Sequence, residues 1–194
     1  IIPNILNEDE CDSYIEKLEC LYNKYGSLYF RKDSESEHGL DSKENERVVF
    51  NLHNKEIAFA KLLDHPKVFP WISYLLKEGS YQNLEPLVYL VSSARDPVFR
   101  AKEQQLHIDS RFPGSPFALV SQVIYCLDEF NEENGATRIL PGSHKLQSYP
   151  VNQKKYTNEL LISAAKGSAI IYNGSLWHGS SRKIINKTRW ALIY

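Results

Sequence analysis

Residues 118–142, ALVSQVIYCLDEFNEENGATRILPG, decide the architecture. Ala118–Leu127 and Ala136–Leu140 are short runs rich in Val, Ile and Tyr, which pack well on a pleated surface. Asn134-Gly135 and Pro141-Gly142 close them with turn chemistry. The pattern continues in both directions. Leu87–Ala94, Leu160–Ala164, Ser168–Tyr172 and Thr188–Tyr194 have the same character, and Pro97, Pro113-Gly114 and Gly167 fall between them. The sequence before residue 80 reads differently. Cys11, Tyr14, Ile15, Leu18, Leu21, Tyr22 and Tyr25 recur at helical spacing over residues 8–25, with Gly26 as a stop. Residues 55–64 and 67–78 read as two short helices, the second opened by Pro66 and ended by Gly79. Helices first and many short strands afterwards predict a mostly β fold, an antiparallel sandwich or jelly roll with N-terminal helices. No repeat or linker divides the chain. It is expected to be one domain over 1–194, with a helical buttress over 1–80 and a jelly-roll core over 81–194.

Composition narrows the function classes. The 194 residues are 42% hydrophobic and 24% charged, with a formal net charge of −1. A near-neutral chain has no electrostatic footprint for nucleic acid or an anionic membrane surface. No apolar run approaches the roughly 20 residues that span a bilayer. Three cysteines without CxxC spacing fit a reducing, cytoplasmic setting better than a disulfide framework. Two matches to the glycosylation pattern, at Asn173 and Asn186, are read as chance because no secretory signal is visible.

The chemistry-bearing residues lie in two places. In Leu106-His107-Ile108-Asp109 an extended backbone directs His107 and Asp109 to the same side. His178 follows the Ser168–Tyr172 run, far enough along for intervening strands to return the chain to one site. Two imidazoles and a carboxylate form the facial triad of non-haem Fe(II) oxygenases, which leaves coordination positions open for a bidentate 2-oxo acid and O₂. His-x-Asp alone is a weak signal. His144, in Pro-Gly-Ser-His-Lys, is read as part of a turn. His38, His53 and His65 lie in the helical and loop region and are not taken as ligands.

Context strengthens the triad. Between its two segments lies Asn134-Gly-Ala-Thr-Arg138, followed by Pro141-Gly-Ser-His-Lys145. Trp177-His-Gly-Ser180 and Arg189 come later, and Ala94-Arg-Asp-Pro97 precedes the first segment. Together these resemble the phytanoyl-CoA dioxygenase-like family of Fe(II)/2-oxoglutarate oxygenases over roughly residues 46–194. The resemblance implies a double-stranded β-helix of cupin-like type, with His107, Asp109 and His178 as iron ligands. It implies that Arg189 binds the distal carboxylate of 2-oxoglutarate, for which a permanently charged guanidinium fork is suited. It implies a hydrogen bond from Ser180 to the same carboxylate. Tyr125 and Tyr89 fall where the family lines the cosubstrate pocket, and Gln122 and Thr137 are further polar pocket residues. Thr137 and Arg138 alternate, so only one faces the pocket. Related halogenases carry Gly or Ala in place of the carboxylate. Asp109 therefore favours hydroxylation of a small molecule, with Fe(II), 2-oxoglutarate and O₂ as cofactor and cosubstrates. Two readings stay open: a metal-holding cupin-like sensor or binding module without turnover, and a metal-dependent hydrolase or isomerase. Neither needs a carboxylate clamp at Arg189. Loops 32–47 and 95–103 are expected to close over the substrate, and Arg95, Arg100 and Arg111 to meet an anionic group on it.

Overall fold

The structure is a computed structural model that describes residues 1–25, 46–77, 90–115 and 117–194. Helix α1 spans Glu8–Tyr25, with Glu8, Asp9 and Glu10 in its first turn and Lys24 in its last, as the helix dipole favours. Its start is a reciprocal cap. The Glu10 backbone N–H donates to Asn7 Oδ1 and the Asn7 N–H donates to Glu10 Oε2, both at 2.8 Å. A 3₁₀ turn at Leu52–Asn54, a short helix α2 at Ile57–Ala60, α3 at Phe69–Lys77 and a second 3₁₀ turn at Ser143–Lys145 complete the described helices. The two helices expected over 55–64 and 67–78 are thus shorter. The second starts at Phe69, with Pro70 in its first turn, where a missing N–H costs nothing.

Among the described residues eight strands form two antiparallel sheets: β1 Glu46–Phe50, β2 Ser93–Pro97, β3 Ser121–Cys126, β4 Thr137–Ile139, β5 Leu160–Leu161, β6 Ala169–Asn173, β7 His178–Ser180 and β8 Ala191–Ile193. The larger sheet runs β1-β2-β8-β3-β6 and the smaller β5-β4-β7. This is the expected mostly β, jelly-roll architecture. The division at residue 80 does not hold, because β1 lies within 1–80 and pairs with β2 along five residues. Of the loop expected over 32–47, residues 32–45 lie outside the described residues, and Glu46 and Arg47 belong to β1. Of the strand expected over Leu87–Ala94, residues 87–89 lie outside the described residues, and the described strand is Ser93–Pro97, which also takes in the start of the loop expected over 95–103. Composition disfavours Arg95, Asp96 and Pro97 in a strand. Tertiary ion pairs compensate: Arg95 pairs with Glu46, and Asp96 with Arg47 and Lys183.

Period-2 alternation gives the larger sheet two packed faces. Val49, Ala94, Leu192, Val123, Tyr125 and Ala169 face outward and form one core with Leu18 of α1, Phe59 of α2 and Trp190. Ile124, Cys126, Ile170 and Ala191 face inward and pack with Phe130, Ala136 and Ala164. The inward face continues into an open cavity between the sheets. Among the described residues no helix is long and apolar enough to cross a membrane.

Candidate metal centre and its cavity

The two histidines are partners across an antiparallel bridge. The His107 N–H donates to the His178 carbonyl at 2.9 Å and the His178 N–H to the His107 carbonyl at 3.0 Å. This pairing brings the imidazole centroids to 4.3 Å. Asp109, two residues on, is anchored by its N–H on the Gly174 carbonyl at 2.8 Å. Its carboxylate lies 3.1 Å from His178 Nε2 and 3.8 Å from His107 Nε2. The three ligand atoms all fall within 4.8 Å of one another, close enough for one ion.

Backbone carbonyls set the tautomers. His178 Nδ1 lies 2.8 Å from the Leu176 carbonyl, and His107 Nδ1 lies 3.2 Å from that of Gln105. A carbonyl only accepts, so each Nδ1 carries a proton, which leaves Nε2 as the atom a metal would take. Burial alone would raise the Asp109 carboxyl. Hydrogen bonding and charge from His178, charge from His107 and a hydrogen bond from Gln122 outweigh it, and the carboxyl is held below its ordinary value.

The Pro141–Lys145 turn supports this geometry. Ser143 is buried, and its Oγ accepts from the Trp177 N–H at 2.8 Å, while the Leu140 N–H donates to the Trp177 carbonyl at 2.9 Å. The residue before His178 is therefore held on both backbone groups. At Gly179 a Cβ would stand 3.0 Å from the Gln105 carbonyl and 3.1 Å from that of Gln104. Glycine lets the segment carrying His107 lie this close to β7. His144 does not line the cavity, consistent with its reading as a turn residue.

The cavity holds about 660 Å³, and the triad lines it together with Gln122, Thr137, Ser180 and Arg189. Thr137 and Ser180 are cross-strand partners on the small sheet. Arg138 points the other way and pairs with Glu159 and Glu103. Tyr125 is a correction. It stands three residues from Gln122 on β3, so it faces the opposite side. It is buried in the outer core, where its hydroxyl donates to the Leu62 carbonyl at 2.7 Å. Tyr172, the cross-strand partner of Gln122, lines the cavity instead. The Tyr172 ring packs 4.8 Å from that of His178, and burial first, then the Asp109 charge, push its phenol well above the ordinary range. Tyr89 lies outside the described residues.

Gln104 is a cavity residue that the sequence reading missed. Its side-chain oxygen accepts from the Ser180 N–H at 3.1 Å, and its own N–H donates to the Ser180 carbonyl at 3.0 Å. Gln104 and Gln105 adjoin His107, yet a glutamine has no diagnostic spacing. Only the pairing with β7 reveals its place.

Arg189 is 6% exposed, with its guanidinium carbon 4.4 Å from the centre of the Phe130 ring. Its Nε has no hydrogen-bond partner among the described residues. Its backbone N–H donates to Asp96 Oδ1 at 2.8 Å. The same oxygen accepts from Lys183 Nζ at 3.0 Å, and Asp96 Oδ2 accepts from Arg47 Nη2 at 2.7 Å. One buried carboxylate thus serves Arg47 and Lys183 as well as the Arg189 backbone. Burial lowers the Arg189 guanidinium despite the nearby Asp96 charge, because a cation here lacks solvent and a close counter-charge.

A match to the family described as phytanoyl-CoA dioxygenase (PhyH) covers residues 1–190. The chain belongs to this family. Among curated relatives, the dioxygenase olcK of Penicillium canescens is 38% identical over 68% of this chain and 44% of its own length. An uncharacterised protein of Mycobacterium tuberculosis is 25% identical over 69% of this chain and 49% of its own. The chain spans about half the length of these relatives. Among solved structures, HygX from Streptomyces hygroscopicus, with nickel and 2-oxoglutarate bound, aligns at a TM-score of 0.69 and 15% identity over 99% of this chain and 79% of HygX. SnoN, a non-heme α-ketoglutarate-dependent epimerase of nogalamycin biosynthesis, aligns at 0.72 and 16% over 99% of this chain and 75% of SnoN. At these identities the structures speak for the fold.

Proposed function

We propose that the chain is an Fe(II)- and 2-oxoglutarate-dependent dioxygenase domain that hydroxylates a small molecule, releasing succinate and CO₂. The observation that carries this reading is one cavity lined by both a converged His-Asp-His donor set and a buried arginine whose Nε lacks a partner. Two imidazoles and a carboxylate fit Fe(II), while a zinc hydrolase site of this kind would have no use for a second, cationic end. When bound, iron and 2-oxoglutarate supply O₂ activation through oxidative decarboxylation of the oxo acid.

The protein's residues do the positioning. His107, Asp109 and His178 hold the metal through Nε2, a carboxylate oxygen and Nε2. Arg189 meets the distal carboxylate, with Ser180 donating a hydrogen bond beside it, and Thr137 extends that polar wall. Gln122 steadies the Asp109 carboxylate. Retention of Asp109 keeps a carboxylate where a halogenase needs an open position for chloride.

Succinate release from 2-oxoglutarate, measured with Fe(II) and O₂ across a panel of small molecules, tests the reading. Substrate-stimulated succinate together with a product heavier by one oxygen atom supports hydroxylation. Stoichiometric iron without decarboxylation across the panel redirects the reading to a binding module. Turnover with no change in product mass redirects it to stereo-inversion, the activity named for SnoN.

A further inference from the structure

The cavity wall on the larger sheet is arranged in rows by strand register. Pro97 pairs with Glu46, and Arg189 lies two residues before the Ala191 that pairs with Arg95, so these form the innermost row. The next row is Val48, Arg95 and Ala191. The one after that is Phe50, Ser93 and Ile193. Val91 continues the Arg95 and Ser93 face outward and is 72% exposed, against 6% for Arg189. Arg95 therefore stands one step outward from the proposed carboxylate clamp and one step inward from a mouth where Phe50, Val91, Val120 and Ile108 are joined by Lys102 and Ser121.

Arg95 donates through Nη1 to Glu46, which is itself 6% exposed. Its guanidinium carbon lies 5.7 Å from the centre of the Phe50 ring. The pair restrains the guanidinium and offsets its charge, and no hydrogen bond joins Nε or Nη2 to another described residue. A restrained, charge-compensated donor beside apolar side chains suits an uncharged oxygen acceptor. It gives little reward to an anion and repels a cation through the nearer guanidinium.

Resting on the dioxygenase reading above, we propose that Arg95, held by Glu46, selects the substrate. It donates to a carbonyl, ester or similar uncharged oxygen of a molecule whose body is apolar. This replaces the expectation that Arg95, Arg100 and Arg111 meet an anion. Arg100 packs on Phe99 and neither it nor Arg111 lines the cavity.

The test uses three fragments of one shape: 2-tetralone, tetralin-2-carboxylate and 2-aminotetralin. Each is titrated calorimetrically into the protein loaded anaerobically with Fe(II) and 2-oxoglutarate. The ketone is expected to bind at least as well as the carboxylate, and the amine worst. Arg95→Ala is expected to weaken the ketone about tenfold or more, the equivalent of one hydrogen bond to a charged group. The double variant Arg95→Ala, Glu46→Ala removes both charges together. It guards against misfolding around an unpaired Glu46, and the same loss is expected in it. Affinity for 2-oxoglutarate, followed by the absorbance of its iron chelate before any fragment is added, is expected to stay unchanged. Four results overturn the proposal: no ketone binding to the parent protein, unchanged ketone affinity in both variants, a carboxylate bound tenfold tighter than the ketone, or an equal loss in 2-oxoglutarate affinity. Absence of the iron chelate in the parent protein would instead count against the dioxygenase reading.

Discussion

The two ends of the cavity are built in opposite ways. The metal end is assembled from backbone pairing: an isolated bridge opposes His107 and His178, and carbonyls orient both rings. Its three ligand atoms converge within 4.8 Å of one another. The arginine end is assembled from buried charge. Asp96 gathers Arg47, Lys183 and the Arg189 N–H, while the Arg189 side chain itself remains without a close counter-charge. Geometry is supplied at one end and an unmet electrostatic demand at the other. Under the proposed function one ligand spans this cavity from the metal to Arg189.

That contrast can be broken from either side. Asp109→Ala should abolish iron retention and iron-dependent succinate formation, since losing a ligand exceeds the roughly 10–100-fold cost of losing a ligand's support. Metal analysis and turnover on the same sample check it, with the melting transition largely kept. Asp96→Asn should act on the other end by destabilising the fold by about 3–5 kcal/mol, because it leaves buried cations unpaired. Urea unfolding reads this, and a loss below ~1 kcal/mol would show that Asp96 is not the anchor of this network. Arg189→Met should leave iron binding intact and raise the KM for 2-oxoglutarate by about tenfold or more, one lost charge-assisted contact. A shift in kcat alone would contradict a clamp.

The smallest effect separates the ends by pH. The depressed Asp109 carboxyl adds stability that is fully present above its ordinary value of 3.8 and fades as pH falls through the lower folded value. The metal-free Asp109→Asn variant should therefore show a flatter loss of stability in acid than the parent. Arg189→Met should keep the parent's slope, since a guanidinium does not titrate there.

Much of this plan follows from local sequence rules. The Val- and Ile-rich runs of β3 and β6 marked themselves, and His107-x-Asp109 needed only the two-residue alternation of an extended chain. Strands β1 and β2 were hidden because their charged residues are compatible with pairing only once Glu46 meets Arg95 and Asp96 meets Lys183. These contacts span 49 and 87 positions. Tyr125 was misplaced through its neighbour's parity: a strand that turns Gln122 toward the cavity turns Tyr125 away. Gln104 could not be singled out before β7 was laid beside it. Short-range periodicity was visible in the sequence, whereas long-range charge pairing and register were not.

If both ends act on one molecule, they can be separated by calorimetric titration of 2-oxoglutarate, without O₂, into the parent, Asp109→Ala and Arg189→Met proteins, each with and without Fe(II). Tight binding is expected only for the parent with iron, with marked weakening in either variant. Binding that is indifferent to iron, or that survives loss of Arg189 undiminished, would rule out a shared ligand.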